Sequence, residues 1–368
     1  MRTSIRSSTL IFLAFLAQAA FAGIRPSFSL DYSSWNATHI VLVTTTPKDG
    51  VFAVAESWKG DLTVGERIVV PELRPNQDAL LASQYPDPWS KGLWRGASGQ
   101  LPREPVGSRM VLFLKGDAGA QTATQAKDNR DLRKWKPSDL MDTMKSSVIW
   151  IDGDHLYCFE QIINPGPSIL SESQYSEGDV RSRVAEIKSV QEEMLTAIAA
   201  QDGAERAERL KPFVRSNIFL ARMLALRELG KSGPAAVRTI LGMLDDPEYS
   251  DEGSELVKAL VEAGGKSVAG ELNRRLQREL SFWIATAPSL TKGWWNQDPT
   301  PHAPLCERYT KTFQLVFGLE QVHARGSLDT VRQLRDFWRS LPQLAEISQL
   351  PEECDNCLLY TSPSPRDS

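Results

Sequence analysis

The sequence predicts an α+β protein in which a small β-barrel precedes an α-helical repeat region. Three observations carry that expectation. Six short runs rich in β-branched residues lie between His39 and Ile162, separated by turn residues. Near Leu170 the hydrophobic rhythm changes to the three-and-four spacing of amphipathic helices. A helix-break-helix stretch then echoes itself 35 positions further on. Length agrees, since 368 residues with 41% hydrophobic content supply apolar material for about two domains of roughly 100–200 residues each. The predicted layout is a signal peptide over 1–22, a β-barrel-like domain over 23–170, a helical domain over 171–356 and a foreign tail over 357–368.

Composition removes several function classes. With 42 Lys and Arg against 46 Asp and Glu, the net charge of -4 is small for this length, which argues against a dedicated nucleic-acid binder. Gly 24 and Pro 22 give no collagen-like or disordered bias. Four cysteines are too few for a disulfide scaffold.

Arg2 and Arg6, the apolar run Leu10 to Leu16 and the sequence Ala19-Ala20-Phe21-Ala22 have the three parts of a secretory signal peptide, with cleavage expected after Ala22. A membrane span needs about 20 apolar residues, and Gln18 interrupts this segment early. The protein is therefore expected to be periplasmic or secreted, with no transmembrane segment once the signal is removed. At the other end, Cys357 to Asp367 reads Cys-Leu-Leu-Tyr-Thr-Ser-Pro-Ser-Pro-Arg-Asp and resembles an in-frame translation of a sequencing-library transposase adapter. Such segments stand outside fold reasoning, and the natural chain is expected to depart from this one near Asn356. The Cys-x-x-Cys spacing of Cys354 and Cys357 then carries no redox or zinc signal. Cys158, Cys306 and Cys354 remain, enough for one bridge and a spare thiol or for three buried thiols, and spacing does not choose a pairing.

His39 to Thr45 reads as a strand ending at Pro47-Lys48-Asp49-Gly50, because Asp-Gly supplies the positive φ that a tight hairpin demands. Val51 to Trp58 is its partner, and Arg67 to Pro71 follows the turn Lys59-Gly60-Asp61. Met110 to Leu114, Ser147 to Ile151 and His155 to Ile162 complete six strands, the last two joined across Asp152-Gly153-Asp154. No helical periodicity is visible in this half, and short strands alone imply a small barrel or sandwich.

Three ordered pieces carry a family resemblance: Ala37 to Val43, Glu56 to Leu62 with Gly65 and Ile68-Val69-Val70-Pro71, and Arg109 to Lys115. Together they resemble the netrin-like or metalloproteinase-inhibitor-like OB-fold modules of secreted bacterial proteins, over about a fifth to a quarter of the chain. The resemblance implies a small barrel. It does not imply protease inhibition, because the inhibitors chelate metal through an N-terminal cysteine and the expected mature start is Gly23-Ile24-Arg25.

In the second half, Val180, Val184, Ile187, Val190, Met194 and Ile198 recur at helical spacing, and Ser176 with Asp179 forms a capping box ahead of them. Leu226-Arg227-Glu228-Leu229-Gly230-Lys231-Ser232 is echoed by Val261-Glu262-Ala263-Gly264-Gly265-Lys266-Ser267, with Val237 and Leu241 falling on Leu272 and Leu276. Pro234 to Pro247 resembles the second helix and exit turn of a HEAT-like repeat. Helices over about 205–214 and 308–322, with a pair around 329–339, are expected to cap two copies.

Asp152-Gly153-Asp154-His155 offers two carboxylates and an imidazole to a cation, but hairpin chemistry requires the same residues and is the preferred reading. His302 lies in what reads as a proline-rich loop, Pro299 to Pro304. Gly264-Gly265-Lys266-Ser267 mimics the end of a phosphate-binding loop without its first glycine or preceding strand, and reads as a helix break. Arg332, Arg335 and Arg339, like Arg274 and Arg278, share a helix face and read as solvated. No catalytic residue, metal site or cofactor is predicted. The candidate binding residues are Tyr85, Trp89 and Trp94 in the long segment Arg74 to Val106, and Trp294 and Trp295 in Pro288 to Pro304, since exposed aromatic rings build contact surfaces. The opposing reading packs those rings onto their own domain.

The expected function is a secreted or periplasmic, non-enzymatic binding or scaffold protein whose partner is another protein or an envelope polymer, and not nucleic acid. Two alternatives stand beside it: a metal-dependent or hydrolytic envelope enzyme using Asp152, Asp154, His155 or residues of the two tryptophan-bearing segments, and a structural component of the envelope.

Overall fold

The computed structural model describes residues 28–48, 50–70, 109–116, 135–137, 148–161, 168–290, 299–341 and 349–361. Within them the protein is α+β. An antiparallel sheet occupies the first part and nine helices follow it. Two compact units divide at Gln191 and Glu192.

The first unit begins with a helix, α1 (Leu30–Asn36), where no helical periodicity was expected. Seven residues make two turns, too few to show a repeat in sequence. Its local signal is Ser29, whose side chain accepts the Tyr32 N–H and caps the helix. The strands are β1 (His39–Thr45), β2 (Val51–Lys59), β3 (Arg67–Val69), β4 (Arg109–Gly116), β5 (Trp135–Pro137), β6 (Val148–Asp152), β7 (His155–Gln161) and β8 (Ser168–Glu172). Their order in the sheet is β3-β2-β1-β4-β6-β7-β8, and β5 pairs with β4 beyond the end of β6. All six expected strands are present, and β5 and β8 are additions.

Strands at the centre of the sheet are apolar on both sides, which is why Ile40-Val41-Leu42-Val43 is a continuous run. Val41 and Val43 join Met110, Leu112, Leu114, Val148 and Trp150 in one core, while Ile40 and Leu42 join Val111, Phe113, Ile149 and Ile151 in the other. The register makes this consistent, since Val41 lies opposite Leu112 and Leu42 opposite Val111. Leu30 of α1 covers the second core, together with Val180 and Val184 of α2 (Glu177–Ile198). Two bulges in the pairing of β1 with β2, between Ile40 and Val41 and between Leu42 and Val43, add local twist to the sheet.

The first turns of α2 belong with this sheet, so the helix that opens the helical sequence pattern starts within the first unit. Ser176 and Asp179 form the expected reciprocal box: the Asp179 carboxylate accepts the Ser176 N–H and hydroxyl, and Ser176 Oγ accepts the Asp179 N–H. Arg183 grips Asp31 with two nitrogens, at 2.8 and 2.6 Å. Lys59 donates to the Ser34 carbonyl at 2.7 Å and to Gln191 Oε1 at 2.6 Å. Burial, assisted by Lys188, brings its ammonium down from 10.5 to about 8. A depressed lysine is protonated more readily in the unfolded chain, so the unfolded state binds more protons between those values and stability rises with pH across that window. Lys59→Gln is expected to flatten this rise when denaturant midpoints are compared from about pH 8 to 10.5. An unchanged slope would place the Lys59 ammonium in water.

The second unit contains α3 (Gly203–Leu210), α4 (Phe219–Lys231), α5 (Val237–Asp245), α6 (Gly253–Gly264), α7 (Ala269–Thr286), α8 (Pro299–Gln321), α9 (Leu328–Arg339) and α10 (Leu350–Thr361). Helices α4, α6 and α8 pack in succession, and α10 packs on α8. Helices α5 and α7 pack on α6 and α8 respectively, while α9 packs on α7 and α10. Three pairs share one break: a positive-φ residue at Gly233, Gly265 or His323, then a 3-10 turn over 234–236, 265–268 or 325–327, then the second helix. The segment expected to cap two copies is therefore a third pair with the same break. In the second and third, Ser267 and Ser327 donate to the carbonyl three residues back, at 2.7 and 2.6 Å.

The 35-residue spacing holds in the first helices, where buried Ala221, Ala225 and Leu226 fall on buried Leu256, Leu260 and Val261, but not across the break. Gly233 and Gly265, which carry the first two breaks, are 32 apart, and at that offset buried Ala236, Ile240, Met243 and Leu244 fall on buried Val268, Leu272, Arg275 and Leu276. The sequence echo aligns Ser232 with Ser267, yet Ser232 caps the first helix of its pair while Ser267 lies in the following turn. A second correction concerns Pro299 to Pro304, which is the start of α8 and not a loop, with Pro304 inside the helix. Pro299 and Pro301 fall in the first turn, where a missing N–H would be unpaired anyway, whereas Pro304, the sixth residue, deprives the helix of the bond to the carbonyl four residues back.

Candidate functional site

Among the described residues, Ser250, Asp251, Glu279, Pro304, Glu307, Arg308 and Lys311 line a cleft of about 400 Å3 in the second unit. Three elements build it. The 3-10 turn 247–252 is set by Asp246, whose carboxylate accepts the Glu248 N–H, and by Pro247 at the first helical position. Tyr249 anchors the turn: it is buried, with Lys211 and Arg215 each 5.9 Å from its ring. Ser250 and Asp251 then face the cleft. Helix α8 contributes Pro304, Arg308 and Lys311 along one stripe, at i, i+4 and i+7, with Glu307 beside them. Helix α7 contributes Glu279.

Arg308 is held from two sides. Its Nε donates to Glu279 Oε2 at 2.6 Å, and its guanidinium carbon lies 3.5 Å from the centre of the Phe282 ring. Glu279 is only 7% exposed, whereas Arg308 is 38% exposed, so the remaining guanidinium donors stay accessible. Lys311 lies against Gly253, where an added Cβ would stand 3.1 Å from its Cδ. Among the described residues no carboxylate lies within 4.0 Å of its ammonium. Burial lowers the Lys311 pKa, with Glu279 opposing that fall and Arg275, Arg308 and Arg278 adding to it. Beside these cations on α8, burial and the neighbouring Asp251 raise the Glu307 carboxyl. Burial also raises Glu252; Arg222, 3.2 Å away, opposes this, and Asp251, Glu307 and Glu255 add to it. The cleft thus gathers charges of both signs, with Lys311 and Arg308 half-buried and Asp251 and Glu307 exposed at its rim.

None of these residues was singled out from sequence as a binding group. Tyr85, Trp89, Trp94, Trp294 and Trp295 all lie outside the described residues, as does the signal-like segment. Asp154 and His155 are exposed at the β6–β7 hairpin, where Asp152 pairs with His155 across Gly153 (φ 59) and Asp154. Among the described residues no three His, Cys, Asp or Glu side chains are arranged to hold a metal ion, and no helix is long and apolar enough to cross a membrane. Among the described residues Cys158, Cys306, Cys354 and Cys357 form no disulfide.

The basic helix faces are solvated as expected at Arg274, Arg278, Arg332 and Arg339, while Arg335 is half-buried, and several of these arginines are engaged in ion pairs. Arg335 and Arg339 both reach Asp355, joining α9 to α10, and Arg332 pairs with Asp329 at 2.8 Å. Arg274 pairs with Glu271. Gly265 takes φ 51 at the break between α6 and α7, the conformation that glycine supplies at a helix end. No protein family, curated protein or solved structure matches the chain.

Proposed function

We propose that the chain is an exported, non-enzymatic binding protein of the cell envelope, in which an OB-like barrel module accompanies HEAT-like helix pairs that receive another protein. The barrel reading is supported by the bulged pairing of β1 with β2 and by burial of both sheet faces. The repeat reading is supported by the break shared by three helix pairs. Stacked helix pairs commonly present extended binding surfaces, and fold alone licenses nothing narrower.

The observation that carries the binding reading is an aromatic anchor left in solvent. Phe219 opens α4 at 58% exposure, one turn from the 38% exposed Met223. Arg222 lies 5.6 Å over the Phe219 ring and also pairs with Glu252, the neighbour of the cleft residue Asp251. An exposed aromatic and methionine pair with an arginine between them is the composition enriched at protein contact surfaces.

Immobilised protein is expected to retain a defined component of the native envelope fraction, and Phe219→Ala to lose at least about tenfold in affinity for it, equivalent to about 1.4 kcal/mol. Phe219 is exposed, so the variant should keep its melting temperature. Equal retention by the variant would remove this surface from the binding reading. Retention of a glycan or other polymer, with no protein, would assign the contact to an envelope polymer.

A further inference from the structure

We propose that the cleft between the 247–252 turn and α8 binds a small zwitterion of the α-amino acid or short-peptide class, with its carboxylate on Lys311 and Arg308 and its ammonium on Asp251 and Glu307. This deepens the binding reading by assigning a ligand to the cleft beside the proposed protein contact.

The argument is one of charge placement. Lys311 is a half-buried ammonium with no ion-pair partner among the described residues, and Arg308 is fixed by Glu279 and Phe282 with donors to spare. One helical turn apart on α8, they form a preorganised receptor for a planar carboxylate, the group that arginine forks match best. A dianion such as phosphate would also satisfy them, but it would then face the carboxylates of Asp251, Glu307 and Glu279 in the same cleft, and like charges repel. A simple cation beside Asp251 and Glu307 would face Lys311 and Arg308. Only a ligand carrying both signs answers both sets of charges. Burial already works against the charged form of the half-buried Lys311, and a ligand carboxylate would return to it the opposite charge that solvent supplies less of there. About 400 Å3 falls at the small end of ligand pockets, roughly 300–1,000 Å3.

Calorimetric titration of the full chain with L-alanyl-L-alanine, its N-acetyl form and its C-terminal amide tests the assignment. The free dipeptide is expected to bind saturably, and each blocked form at least about tenfold more weakly. Lys311→Gln should erase the preference for the free carboxylate over the amide while leaving the preference for the free amine. Glu307→Gln, on the exposed rim, should do the reverse, and it guards against misfolding in the first variant. Equal affinity for all three peptides, no saturable binding at millimolar concentration, or tighter binding of inorganic phosphate would each overturn the proposal. Envelope retention that depends on Phe219 but is indifferent to Lys311→Gln and Glu307→Gln would leave the protein contact standing while removing this ligand.

Discussion

Trp283→Ala is expected to cost the helical unit about 3–5 kcal/mol, the range for truncating a buried aromatic ring. Trp283 is fully buried on α7, and its ring meets Tyr309 of α8 edge-on at 6.3 Å and Trp338 of α9 at 5.4 Å. One side chain therefore joins three helices. Its indole N–H donates to Thr312 Oγ1 at 2.9 Å, and Thr312 in turn donates to the Arg308 carbonyl at 2.8 Å. The alanine variant loses transfer free energy, leaves a cavity and strips a buried hydroxyl of its donor. Trp283→Phe keeps most of the ring and loses the hydrogen bond, so about 1–2 kcal/mol is expected. Urea denaturation followed by far-ultraviolet circular dichroism reads both variants, with the midpoint moving and the slope constant. A loss below about 1 kcal/mol for the alanine variant would mean that the helices do not meet around this ring. Phe282, which carries Arg308 in the cleft, is the next residue on α7 and packs against Trp283 at 5.1 Å. Trp283→Phe should accordingly weaken dipeptide binding less than it lowers stability, because the Phe282 support remains.

What the sequence displayed, and what it hid, divides by the distance over which each feature is encoded. β1 to β4, β6 and β7 were legible because β-branched runs and turn residues are local, and α2 because its apolar stripe and capping box lie within one element. β5 was hidden because three residues become a strand only by pairing with Leu114, Lys115 and Gly116. α1 was hidden by its brevity. The helix pairs were legible but the spacing of their breaks was not: the shared Lys-Ser drew the alignment, whereas the backbone break is set by Gly233 and Gly265. In the third pair the same break uses His323, so a search keyed on glycine passes over it. The cleft had no local signature. Asp251, Glu279 and Glu307 are spread over three elements, and each reads in sequence as an ordinary helix-surface charge. The one hint was Asp246-Pro247, which fixes the turn carrying Ser250 and Asp251.

The second large effect is expected at Arg275, where a polar residue occupies an apolar register position. At the 32-residue offset it stands where the preceding pair has Met243, and it is 4% exposed. Its Nη2 donates to Asp245 Oδ2 at 2.8 Å, tying the end of α5 to α7, while its Nε stands 2.8 Å from Glu271 Oε1 in an alignment too poor for a hydrogen bond. Removing one member of a buried pair costs about 3–5 kcal/mol when the other is left buried. Here Asp245 is 55% exposed and Glu271 15% exposed, and Arg278 waits 3.8 Å from both. The partners can therefore recover some solvation and a second cation, which brings the expected cost of Arg275→Ala down to about 2–3 kcal/mol. Arg275→Met restores the side-chain volume that the equivalent Met243 supplies, and pairing it with Glu271→Gln removes the stranded charge. That double variant should return to within about 1 kcal/mol of the parent, because a well-packed apolar replacement of a buried ion pair is close to neutral. If the double variant is as unstable as Arg275→Ala, the pair does more than satisfy itself, and the link from Asp245 across to α7 would be the term that sets the angle between successive helix pairs. Arg275 is also one of the cations acting on Lys311. Its loss should therefore ease protonation of Lys311, and the Arg275→Met, Glu271→Gln protein should hold its dipeptide affinity to a higher pH than the parent does.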